Sequence, residues 1–103
     1  MICVIATIEI NDGQRDAFIA EFKKIIAAVR AEDGCIEYGP MVDVPTNIPV
    51  QPPERKDVVT VVEKWESVEA LEKHLMAPHM LEYKKAVKDI VKGMSIQVLE
   101  PAE

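Results

Sequence analysis

Two segments of this chain are apolar on both of their faces, and that restricts the fold more than any other feature. Residues 2–10 (ICVIATIEI) and 57–66 (DVVTVVEKWE) are rich in β-branched side chains and have strand length. Alternate residues of a strand point to opposite sides of the sheet. Ile2, Val4, Ala6 and Ile8 therefore share one face of the first strand, and Cys3, Ile5, Thr7 and Glu9 share the other. In the second segment Val58, Thr60, Val62 and Lys64 oppose Val59, Val61, Glu63 and Trp65. A sheet with helices on one side and water on the other should alternate cleanly between apolar and polar. These two strands do not. The chain has helix enough to cover one face only, so the second face calls for another subunit. The expectation is a homodimer packed sheet against sheet.

The remaining elements follow from periodicity and breakers. Asn11-Asp12-Gly13 ends the first strand, and Asn11 is placed to cap a helix with Gln14 closing a capping box. Residues 13–32 read as one amphipathic helix, with Phe18, Phe22, Ile25, Ile26 and Val29 on one face. Gly34 stands where a C′ glycine belongs. Residues 35–43 read as a weaker strand, interrupted by Gly39-Pro40 and so suited to an edge. Residues 44–56 hold four of the seven prolines and no periodicity, the pattern of a long loop. Ser67 caps a short helix through Val68, Leu71 and Leu75, and Ala77-Pro78 breaks it. A further helix runs to about Val91 and Gly93 ends it, before a last strand at 94–100. The order βαββαβ in a single domain, residues 1–103, predicts an α+β fold: a ferredoxin-like sandwich on a four-stranded antiparallel sheet, with the first and third strands central.

Charge and cysteine content narrow the function. Eighteen Asp and Glu against twelve Lys and Arg leave a net charge of −6. That opposes nucleic acid, whose phosphates need a basic stripe, and an anionic membrane surface. The start lacks a basic n-region, and no apolar run approaches the roughly 20 residues that span a bilayer. Cys3 and Cys35 lie far apart with no CxxC partner. They read as two free thiols in a reducing cytoplasm.

Few residues can carry chemistry. His74 and His79 are the only histidines, five residues apart across the Ala77-Pro78 break. On its helix His74 lies about 90° from the centre of the apolar stripe, a flank position. The plain alternative for either is a partly exposed helix residue bonded to the backbone. A metal site between them lacks a supporting pattern such as HExxH, and none is expected. Trp65 follows Glu63 by two residues, so both share a sheet face. They could make a pocket wall with an acidic handle, or an interface Trp beside a salt-bridged Glu. Tyr38 and Tyr83 could each offer a hydroxyl or simply pack. The charges of 82–92 read as a solvated helix face with i,i+4 pairs. Phosphate loops, Walker motifs and a GxSxG elbow are absent.

The stretch EKWESVEALEKHLMAPHM (63–80) resembles the signature of the antibiotic biosynthesis monooxygenase family, especially its small quinol-monooxygenase-like members. AEDGCIEYGP (31–40) is similar to that family's passage from helix end to second strand, and only residues 44–56 fall outside the likeness. The resemblance implies a dimeric α+β barrel with a mostly apolar cavity between sheet and helices. It implies oxidation of a phenolic or quinol substrate by O₂, with no metal or organic cofactor. On this reading His74 is the proton acceptor and Glu63 orients a partner or a substrate hydroxyl. Trp65 forms a cavity wall, and His79 stands at the mouth. Tyr38, Tyr83 and Thr7 complete the substrate-binding candidates; Thr7 lies on the strand where some oxygenase relatives carry an asparagine facing the cavity. Relatives also isomerise small hydroxy-ketones or degrade haem. An isomerase or tautomerase using the same His74 and Glu63, and a non-catalytic binding dimer, are the alternatives.

Overall fold

The computed structural model describes all 103 residues. Its sheet is antiparallel, in the order β2-β3-β1-β4, with β1 at Ile2–Ile10, β2 at Cys35–Met41, β3 at Val58–Trp65 and β4 at Val91–Leu99. The two strands with the longest apolar runs are the central pair, because only central strands have both edges paired and both faces to cover. β1 and β3 run in register from Ile2 opposite Trp65 to Glu9 opposite Val58. β2, which contains Pro40, takes the edge beside β3 with a register shift between Cys35 and Glu37.

The helices α1 (Arg15–Lys23), α2 (Ile26–Arg30), α3 (Val68–Leu75) and α4 (Pro78–Ala86) cover one sheet face. That face carries Val4, Ala6, Ile8, Val59, Val61, Glu63 and Trp65, all buried. Phe18, Phe22 and Val29 close on it from α1 and α2. Truncating a buried Phe to Ala costs roughly 3–5 kcal/mol. The opposite face, with Ile5, Thr7, Thr60 and Val62, is only half-buried.

Four local expectations are corrected. The helix expected over 13–32 is two helices. At Lys24 and Ile25 the backbone bonds tighten to i→i−3, toward Glu21 and Phe22, and the tight turn keeps Phe22, Ile25 and Val29 all against the sheet. Asn11 does not cap α1. Its side-chain amide donates to the Asp89 carbonyl at 3.0 Å, tying the end of β1 to the approach to β4, while Gln14 stands at the N-cap without a side-chain bond. The last helix stops at Ala86 instead of about Val91, and Gly93 lies inside β4. Pairing of Val91 with Ile10 and of Gly93 with Glu9, around a bulge, draws 91–93 into the sheet. The ion pairs expected along 82–92 do not form. Lys24–Glu21, Arg55–Asp43 and Lys64–Glu37 are the Lys and Arg pairs present.

Gly34 is the expected C′ residue, at φ +86°. Its carbonyl accepts from the Glu66 N–H at 2.8 Å, and a Cβ there would meet the Ala70 Cβ at 2.6 Å. This contact sets the end of α2 directly against the start of α3. Residues 42–57 contain no helix or strand. Arg55 closes the base of that loop, binding both carboxylate oxygens of Asp43 at 2.8 and 2.9 Å. The half-buried Asp43 carboxyl is held down to about 2, chiefly by these hydrogen bonds.

Candidate functional site

α3 begins at Ser67, whose hydroxyl accepts from the Ala70 N–H at 3.1 Å. One face of the helix then carries Leu71 and His74 inward, three residues apart. His74 is 1% exposed, so the expected flank position is corrected to a buried one, while Val68 turns outward. The close approach of Gly34 to Ala70 rotates α3 so that Leu71 and His74, rather than Val68, meet the sheet. The His74 ring lies 4.6 Å from Trp65 and 5.5 Å from Tyr38, centroid to centroid.

The same approach brings Glu32, just past α2, against His74. Its Oε2 lies 2.8 Å from His74 Nδ1 and 2.8 Å from His79 Nε2. A carboxylate oxygen only accepts, so both rings donate to it. His79 is placed by Pro78 at the first turn of α4. These are the residues that could hold a metal ion, since their donor atoms lie within 4.8 Å of one another. The two 2.8 Å separations are hydrogen-bond lengths, shorter than the edge of about 3.4 Å between ligands of a tetrahedral zinc. As built, the trio is a hydrogen-bonded triad.

In the neutral ring that donates Nδ1–H to Glu32, the other nitrogen of His74 is an acceptor. Nε2 has no protein partner, yet no buried side-chain nitrogen or oxygen lacks one. Nε2 is therefore the part of the ring that faces open space. That space is a cavity of about 330 Å³ between the sheet and α4. Twelve of its sixteen lining residues are hydrophobic, which suits it to a mostly apolar ligand. Tyr38, Glu63, His74 and Tyr83 are among its lining residues. A wider depression of about 420 Å³, between Arg30, Cys35, Glu37 and Val62, contains none of the histidines.

Glu63 is 6% exposed, and its Oε1 accepts from the Trp65 indole N–H at 2.9 Å. Burial pushes its carboxyl above the ordinary range, against the opposing pull of the Trp65 bond and of His74. Burial also raises the Tyr38 and Tyr83 hydroxyls, with the Glu63 charge adding to it. Both therefore stay protonated at neutral pH and can donate to a ligand. Tyr38 is stacked on Phe22, 5.4 Å between centroids and 11° from parallel.

Four of the expected site residues, Glu63, His74, Tyr38 and Tyr83, thus surround one cavity. Three do not. Trp65 is wholly buried behind His74 and Glu63, so it backs the site and is not a wall. His79 reaches Glu32 and not the cavity. Thr7 lies on the other face of the sheet opposite Thr60, because strand alternation gives the cavity to Ala6 and Ile8. Glu32 is not marked by any motif in the sequence, where its only signal is an acid two residues before the helix-ending Gly34. Lys84 and Lys88 also reach the cavity, although their spacing suggested only a solvated face.

Residues 1–86 match the model of the family described as antibiotic biosynthesis monooxygenase. Over 103 residues, 98% of each chain, the sequence is 42% identical to "Probable quinol monooxygenase YgiN" of Escherichia coli strain K12. The Shigella flexneri protein of that name matches to the same extent. Two solved structures share the fold. PA3566 from Pseudomonas aeruginosa aligns with a TM-score of 0.81 at 24% identity, over 99% of this chain and 94% of its own. Rv0793 from Mycobacterium tuberculosis aligns with a TM-score of 0.80 at 26% identity, over 99% and 95%.

Proposed function

The chain belongs to the antibiotic biosynthesis monooxygenase family, and on that premise we propose that it is a cofactor-independent monooxygenase of a small quinol or phenolic aromatic. One observation carries the reading: Glu32 fixes His74 through Nδ1 so that Nε2 opens as a base onto an apolar cavity. The quinol-monooxygenase name of the E. coli relative supports the substrate class.

In this mechanism Nε2 takes a proton from a substrate hydroxyl. Glu32 stabilises the imidazolium that forms, as the acid of a carboxylate–histidine pair does in other enzymes. The carboxyl of Glu63 and the hydroxyls of Tyr38 and Tyr83 hold the ring and its second oxygen. Apolar walls deny water to the resulting anion, which raises its readiness to reduce O₂. For a quinol the balance is quinol plus O₂ to hydroxyquinone plus water, one oxygen atom entering the ring and the other leaving as water. Neither a metal nor an organic cofactor takes part, and O₂ is the co-substrate.

The working unit of the proposal is a homodimer joined through the half-buried outer face of the sheet. Two free thiols suit a reducing compartment such as the cytoplasm. No helix is long and apolar enough to cross a membrane.

Oxygen consumption with a panel of quinols tests the reaction. His74→Ala is expected to lower kcat by about 10²–10⁴-fold, the usual worth of a positioned base. Equal uptake by variant and wild type would remove His74 from the mechanism. A base at His74 and a carboxyl at Glu63 in one cavity also suit proton shuttling on a hydroxy-carbonyl compound. Turnover under strict anaerobiosis would favour that isomerase reading.

A further inference from the structure

The cavity has two unlike ends. Its inner end is formed by buried groups, among them His74, Glu63 and Tyr38. Its exposed lining residues are Lys84, Lys88, Met94 and Ile96, which place the mouth between the C-terminal end of α4 and β4. Both charges at this mouth are positive. Neither lysine makes an ion pair, although the chain carries an excess of six acidic charges. The neighbouring acids Glu82 and Asp89 do not line the cavity. Two uncompensated cations at the rim of a low-dielectric cleft focus a positive potential into it.

We propose that Lys84 and Lys88 form an anion-reading pair at the cavity mouth, and that the substrate is a hydroxyarene bearing an anionic group, such as a carboxylate, opposite the hydroxyl that meets His74. The inference rests on the reading of this cavity as the substrate site. It adds a direction of entry. The hydroxyl goes in first toward Nε2, and the anion stays in solvent contact between the lysines, where it need not be fully desolvated. The apolar ring occupies the space between.

Lysines in the last turn of a helix also offset its dipole, with no ligand involved. Lys85 supplies the control. It occupies the same helix end but does not line the cavity. Two fluorescent probes of matched ring, 6-hydroxy-2-naphthoate and 2-naphthol, are titrated into wild type, the double variant Lys84→Gln/Lys88→Gln, and Lys85→Gln. Wild type is expected to bind the acid about tenfold more tightly than the naphthol, the equivalent of 1.4 kcal/mol. The preference should fall toward one in the double variant and in about 0.5 M salt, where charges are screened over a few ångströms. Lys85→Gln should retain it. Equal binding of the two probes by wild type overturns the anion-reading pair and leaves the cavity as a binding site. So does a loss in Lys85→Gln as large as in the double variant. Failure of both probes to bind overturns the cavity as the substrate site, and the pair with it. Because the readout is binding, absence of oxygen consumption would count against the proposed reaction alone.

Discussion

A base that works at neutral pH must be held in one tautomer, and here a single oxygen does it. Glu32 Oε2 accepts from two histidines, but only His74 presents its remaining nitrogen to the cavity. Glu32 is thus a positioning residue, and His79 steadies Glu32. Glu32→Gln is expected to lower kcat by about 10²-fold or more with KM little changed, since the loss falls on the developing imidazolium. Steady-state oxygen uptake measures both constants. Glu63 is the opposite case, an acid that the fold tolerates for its position. Its folded-state pKa is raised by burial. The linked stability is therefore fully present below the unfolded-state value and is lost as pH rises through the folded-state one. Glu63→Gln keeps an acceptor for the Trp65 indole and removes the buried charge. It is expected to raise Tm at pH 7, to lose that advantage below about pH 4, and to turn over more slowly. Thermal unfolding at the two pH values checks the sign.

The elements assemble the site by their ends. Glu32 follows α2, His74 closes α3 and His79 opens α4, so three helix termini converge on one carboxylate oxygen. Gly34 is what allows the convergence. Its φ of +86° turns the chain, and its lack of a side chain admits Ala70. Gly34→Ala combines a left-handed backbone with a Cβ 2.6 Å from that of Ala70. A loss of roughly 2–4 kcal/mol is expected from the two effects together, read as a shift in the urea midpoint. Activity should fall further than the population of folded protein explains, because the same contact sets the spacing from Glu32 to His74. The tight turn at Lys24 and Ile25 and the early end of α4 are adjustments of the same kind. In each, packing or strand pairing overrides a periodicity that would have continued the helix.

At the scale of the whole molecule, one half is covered and the other is not. The helices bury the inner face of β1 and β3 and leave Met94, Ile96 and Val98 of β4 exposed, while Ile5, Thr60 and Val62 are half-buried on the outer face beside the exposed Met41 and Leu99. Sedimentation equilibrium is expected to give twice the mass of one chain. Val62→Glu, at the centre of that face, should return it toward the monomer and lower Tm, because two like charges would meet across a sheet-to-sheet contact. A wild-type monomer would leave the apolar outer face without a reason.

The strand pattern by itself determined the architecture. The apolar runs mark the central strands, Pro40 marks the edge strand, and the period of two sorts each strand into two faces, but which face turns inward is decided by where the helices pack. The likeness of 63–80 to a family signature likewise pointed to His74 and Glu63 from residue order alone. What the alternation could not supply was distance. Glu32 and His74 are 42 residues apart in the chain and 2.8 Å apart in space, and only the packing of Gly34 on Ala70 closes that gap. Thr7 shows the converse: its strand follows from the sequence pattern, but its candidate role rests on likeness alone, and strand parity sets it on the face away from the cavity. Lys84 and Lys88 show why charge spacing alone is mute. On a solvated helix and at a cavity mouth the i,i+4 pattern is the same, and the difference lies in β4, whose Met94 and Ile96 line the cavity beside the two lysines.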